Sequence, residues 1–146
     1  MPKFLLPVDG SDSAFQATLY VIDFIKKRGP VEIHVVNVQP KPLTWQTHGM
    51  EKEVINDHLA IESHMTMKPI LHALNEEGIA YQKHVKLGDP AETLVALAEE
   101  LGCDHIIMGT RGLGAISGIV LGSVTRKVLH LANVPVTCVK SESPRR

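Results

Sequence analysis

His105-Ile-Ile-Met-Gly-Thr-Arg-Gly-Leu-Gly-Ala-Ile-Ser-Gly-Ile-Val-Leu-Gly-Ser123 runs from an apolar tetrapeptide through five glycines to a serine. The apolar run reads as a buried parallel strand, and the segment that follows Ser123 reads as a helix. Between them lies backbone with few side chains and one charge, Arg111. Such backbone lets amide N–H groups converge on an anion, and a following helix adds its unpaired N–H groups and its positive dipole end. A glycine-rich surface loop with no ligand is the competing reading of the same residues.

The rest of the chain alternates in the same way. Phe4 to Val8 reads as a first strand, with Pro7 near its end. Ser11 or Asp12 caps a helix through about Arg28, with Leu19, Ile22 and Phe24-Ile25 as its apolar face and Gly29-Pro30 as its stop. Val31 to Val38 is a second strand, and Gln39 to Gly49 a loop. A long helix is expected from about Glu51 to Asn75, on the spacing of Val54-Ile55, Leu59, Ile61, Met65, Ile70-Leu71 and Leu74. Pro69 should kink or split it. Tyr81 to Leu87 is a third strand. Asp89-Pro90-Ala-Glu92 opens a helix with an N-cap, a proline at the first helical position and an acid at the third, and that helix ends at Gly102. Asp104 to Met108 is the fourth strand, Ser123 to Ala132 a helix and Val134 to Lys140 the fifth strand.

Alternating strands and helices imply a mostly parallel sheet with helices on both faces. Strands one and four are continuous apolar runs, which suits central positions. Strand three carries Gln82, Lys83, His84 and Lys86, which suits an edge. The order 3-2-1-4-5 follows: an α/β single-domain open parallel sheet of five strands, Rossmann-like. Strands one and four then flank the point where the winding reverses, and ligands of open α/β sheets bind beyond the carboxyl ends of the strands at such a point. Asp9-Gly10-Ser11 and Gly109-Thr110-Arg111-Gly112 emerge there. Gly109 and Gly112 would let the chain pass close to a nucleotide. Gly122 and Ser123 would receive phosphates through N–H and hydroxyl, and Asp9 would accept hydrogen bonds from a ribose or help hold a metal ion.

Composition bounds the alternatives. The 146 residues suit one domain, with a net charge of −1, 44% hydrophobic and 4% aromatic residues. That offers neither a basic field nor stacking platforms for nucleic acid. Cys103 and Cys138 are far apart and read as buried thiols. The N-terminus is too briefly apolar for a signal peptide or a membrane span, and a cytoplasmic protein is expected. A P-loop is excluded because Ala115, not lysine, follows Gly114. Gly112-Leu-Gly114-Ala-Ile-Ser-Gly118 has one residue too many for a dinucleotide fingerprint and stands too near the C-terminus. His58 and His64 are six apart, not at the spacing of a helical zinc pair, and the remaining histidines read as structural or surface. Asp9-Gly-Ser-Asp-Ser13 is not a calcium loop, since Tyr20 occupies its twelfth position. Trp45 reads as a partly buried anchor.

The spacing Gly109-x2-Gly112-x9-Gly122-Ser123 resembles the ATP-binding signature of the universal stress protein family. Pro7-Val-Asp9-Gly-Ser11, Gly88-Asp-Pro-Ala-Glu92 and Asn133-Val-Pro-Val136 are similar to that family's other turns, in the same order along the whole chain. The resemblance implies an adenine nucleotide α hydrolase-like domain over residues 1–140, with a polar tail at 141–146. It also implies ATP, with Mg²⁺ aided by Asp9, in the crevice between strands one and four. Base and ribose contacts would come from Pro7, Val8, Asp9 and Val38. Met108, Gly109, Gly112, Gly122, Ser123 and Val124 would form the adenosine and phosphate set, with Arg111 within reach of a phosphate. It further implies a homodimer through strand five, and the apolar Val134, Val136, Cys138 and Val139 support a covered edge independently. The expected role is a nucleotide-dependent stress sensor. Two alternatives remain: the same fold acting through its dimer or a partner without nucleotide, and an ATP-using enzyme of related architecture. Against the enzyme, no lysine or acid lies where fast phosphoryl transfer needs it, so at most slow hydrolysis or autophosphorylation is expected.

Overall fold

The computed structural model describes residues 1–41, 48–110 and 121–140. Among the described residues nine elements alternate: β1 (Lys3–Pro7), α1 (Asp12–Arg28), β2 (Glu32–Gln39), α2 (Lys52–Glu76), β3 (Gln82–Leu87), α3 (Pro90–Leu101), β4 (His105–Gly109), α4 (Ser123–Leu131) and β5 (Val136–Val139). The five strands are parallel, in the order β3-β2-β1-β4-β5.

The strand chemistry explains that order. Leu5, Leu6, Val35, Val36 and Ile106 are fully buried, each worth about 1.5–3 kcal/mol by removal from water. Strand β3, by contrast, is exposed at all but one position, as its charged residues require of an edge. Side chains alternate across the sheet. Phe4, Leu6, Val8, Ile33, Val35 and Ile107 meet α1 and α2 on one face, while Leu5, Val36, Ile106 and Met108 meet α3 and α4 on the other.

Helix boundaries follow local chemistry. Ser11 caps α1 by accepting from the Ala14 N–H at 3.2 Å, and Gly29 ends it with φ of 103°. Asp89 caps α3 by accepting from the Glu92 N–H at 3.0 Å, and Gly102 ends it in the left-handed conformation, where a Cβ is strained.

Three expectations need correcting. Pro69 does not split α2, which runs unbroken for 25 residues. The apolar residues of that helix do not form one core face: Ser63, Met67, Ile70 and Leu74 are buried, whereas Val54, Ile61 and Met65 are exposed. In α1, Leu19 likewise faces solvent at 40% exposure. Of the two thiols Cys103 is buried and Cys138 only partly so, and burial pushes both up from the usual thiol range.

Candidate functional site at the strand-one and strand-four divergence

The sheet opens where β1 and β4 part. The β1–β4 ladder joins only Phe4 and Leu5 to His105 and Ile106. On the flanks pairing continues to the strand ends: Pro7 pairs with Val36, and Gly109 with Val139. Beyond those pairs the Val8 N–H donates to the Val36 carbonyl at 2.8 Å and the Thr110 N–H to the Val139 carbonyl at 3.0 Å. Each central strand therefore follows its outer neighbour, and the winding reverses between β1 and β4, whose carboxyl ends are where an open α/β sheet takes a ligand.

A buried polar group fixes the β1 side. Asn37 and Gln39 are 4% and 7% exposed. The Asn37 Nδ2 donates to the Val8 carbonyl at 2.8 Å, and the Gln39 Nε2 donates to the Asn37 Oδ1 at 3.1 Å. These bonds hold Pro7, Val8 and Val38 in register. Asp9 is exposed and its Oδ1 accepts from the Ser11 N–H at 2.9 Å, a tight turn that Gly10 permits with φ of 86°. One Asp9 carboxylate oxygen thus serves the turn.

On the β4 side Met108 is buried beneath α3 and α4. Gly109 packs against the first turn of α1: a Cβ placed there would stand 2.6 Å from the Ser13 carbonyl carbon. The sequence reads Gly109 as room for a ligand, but its bareness is required by helix–strand contact. Beyond β4 the Gly122 N–H donates to the Thr110 carbonyl at 2.7 Å. The expectation that the Gly122 N–H meets a phosphate is corrected by that bond. The Thr125 Oγ1 donates to the Gly109 carbonyl at 2.9 Å, tying α4 to the end of β4. Gly122 is the N-cap of α4 and, being glycine, has no side chain of its own to cap it. Ser123 and Val124, the first two helical residues, are exposed. Arg111 and Gly112 lie outside the described residues.

The structure thus brings Pro7, Val8, Asp9, Val38, Met108, Gly109, Gly122, Ser123 and Val124 to one end of the sheet. Sequence reading missed Asn37, Gln39 and Thr125, which organise it. The signal for Asn37 was present: an amide inside Val35-Val36-Asn37-Val38 must find a partner when buried. Among the described residues no three His, Cys, Asp or Glu side chains are arranged to hold a metal ion. The shifted histidines lie away from the crevice. His105, at the opposite end of β4, is lowered by burial and its Nε2 lies 2.6 Å from the Thr137 Oγ1. His84 is lowered by burial first and then by the neighbouring His34 and Lys86.

The universal stress protein family model matches residues 1–140. This chain belongs to that family. Universal stress protein MJ0577 of Methanocaldococcus jannaschii is 30% identical over 155 residues, covering 97% of this chain and 96% of the relative. The solved structure of MJ0577 superposes with a TM-score of 0.83 at 32% identity, over 98% of both chains. A universal stress protein family protein of Arabidopsis thaliana, solved with AMP bound, gives a TM-score of 0.72 at 16% identity, over 98% of this chain and 94% of that one. A universal stress protein in complex with cAMP gives 0.67 at 20% identity, over 97% and 98%. The last two likenesses are of fold. Among the described residues no helix is long and apolar enough to cross a membrane.

Proposed function

We propose that this universal stress protein binds ATP in the crevice between β1 and β4 and acts as a nucleotide-dependent sensor in the stress response. The observation that carries the reading is the start of α4. It begins one hydrogen bond from the end of β4, and its N-cap is a glycine, which has no side-chain acceptor of its own. A helix N-terminus whose N-cap brings no side-chain acceptor offers its first amides and a positive dipole end, which suits phosphate. The glycine spacing before it and the AMP- and cAMP-bound members of the fold support the same reading.

In this reading Pro7, Val8, Asp9 and Val38 bound the base and ribose, with Met108 and Gly109 on the facing strand. Arg111, Gly112, Gly122, Ser123 and Val124 serve the phosphates; Gly122 does so by leaving space, since its N–H is engaged. Asp9 has one carboxylate oxygen beyond its turn bond for a ribose hydroxyl or a phosphate-bound Mg²⁺. Residues 1–140 form the binding domain, the protein resides in the cytoplasm, and β5 pairs with its symmetry mate across a two-fold to give a homodimer. Its residues are each half-buried, as a strand awaiting cover would be. The role is binding rather than rapid turnover, because the chain carries no P-loop lysine.

Mass spectrometry of freshly purified, denatured protein and calorimetric titration with ATP, AMP and cAMP, with and without Mg²⁺, test the proposal. ATP-linked heat with a micromolar constant, about −8 kcal/mol, is expected. An empty protein that gives no heat with any of the three would sink it.

A further inference from the structure

Helix α2 carries two apolar faces, and among the described residues only one has a body behind it. At about 100° per residue, Ser63, Met67, Ile70 and Leu74 fall within about 60° of one another and are buried against the sheet. Val54, Ile61 and Met65 fall within about 40° of one another, roughly 170° away from that face. They are 50%, 61% and 68% exposed. In the first half of the helix, Lys52 to Glu62, only Ile55 and Leu59 are even half-buried. The outward residues Val54, His58, Ile61 and Met65 repeat at intervals of four, three and four, the seam spacing of two helices packed side by side.

Charge decides what lies against the seam. One flank carries Glu53 and Asp57 toward the helix N-terminus and His64 and Lys68 toward its C-terminus, all exposed. Two-fold antiparallel pairing, which sets flank against like flank, would bring Val54 against the partner's Met65 and Ile61 close to the partner's Ile61. The same two-fold brings Glu53 to the partner's Lys68 and Asp57 to the partner's His64, so both acids meet bases. Parallel pairing would instead set acid against acid.

We propose that the outward face of α2 is a self-association surface that receives the same face of a second copy of this chain, antiparallel. It is separate from the β5 edge, which is the last strand at the other side of the sheet. A seam of four turns buries less than about 1,000 Å², so the contact is transient unless a second interface reinforces it.

Cysteine trapping in a Cys138→Ser background reads the geometry, since the remaining Cys103 is buried. Under mild oxidation Ile61→Cys should give a covalent dimer on a denaturing, non-reducing gel, and Val54→Cys should give about one-tenth of it. Adding Glu53→Lys and Asp57→Lys to Ile61→Cys should lower the yield about tenfold. Adding His64→Glu and Lys68→Glu as well should restore it, with circular dichroism confirming an intact helix throughout. No cross-link at Ile61, equal cross-linking at Val54, or failure of the fourfold charge exchange to restore the yield in folded protein would each overturn the proposal. The first result would mean that another partner, or solvent, occupies the seam.

Discussion

Helices α1 and α4 both begin at the mouth of the same crevice, and they treat their first amides differently. At α1 the Asp9 carboxylate accepts from the Ser11 N–H and the Ser11 hydroxyl accepts from the Ala14 N–H. At α4 the N-cap is a glycine without a side-chain acceptor, and its own N–H is directed back to Thr110. The first helix start is closed by its own side chains, whereas the N-cap of the second has no side chain with which to close it. A self-capped helix start gains stability, and a start without a side-chain cap is the one proposed to receive phosphate.

The sharpest way to break this contrast is to cap α4. Gly122→Asp should supply the missing acceptor and place a negative charge where phosphate is proposed. Nucleotide affinity should fall at least about 100-fold, or about 2.7 kcal/mol, while stability without ligand changes by only a few tenths of a kcal/mol. Calorimetry beside thermal denaturation separates the two effects. Unchanged affinity would mean that α4 is not the phosphate site.

Next in size is Gly109→Ala. The new methyl would press into the Ser13 backbone, and overpacking of that kind costs about 1–3 kcal/mol. Denaturant unfolding of ligand-free protein should show the loss, which separates packing at β4 from binding at α4.

Ser11→Ala removes the α1 cap. It should cost about 1 kcal/mol, read as a lower denaturation midpoint, with nucleotide affinity little changed. A large affinity loss instead would make the α1 start part of the ligand site and erase the contrast.

The smallest expected effect concerns a third helix start. The Asp89 carboxyl caps α3, and the Glu92 N–H and then the Lys127 ammonium hold it below its ordinary value of 3.8. A carboxyl lowered by folding stabilises the fold above its unfolded value, and that contribution disappears as pH falls through the lowered one. Asp89→Asn keeps an acceptor but cannot titrate. Its melting temperature should therefore decline less between pH 5 and pH 3 than that of the native chain, as thermal scans across that range would show.

Much of this was legible in the chain. Polar content placed β3 at the edge, and continuous apolar runs placed β1 and β4 at the centre, because a strand covered on both faces tolerates little polarity. The Ser11 and Asp89 caps could be read because a cap is a contact across three residues. The carriers of the crevice were harder to see. Asn37 acts on Val8 across 29 positions and Thr125 on Gly109 across 16, and no local pattern announces such partners. Gly109 and Gly122 look alike in sequence, yet one is fixed by contact with α1 and the other opens a helix.

By itself the sequence determined the kinds of element, their order in the sheet and the point at which its winding reverses. Periodicity, burial preference and capping act over a few residues, and they suffice for that. Only the tertiary structure decided which glycine is packing, which amide is already bonded and which apolar stripe of α2 meets the core. Those outcomes depend on what another segment, distant in the chain, brings alongside.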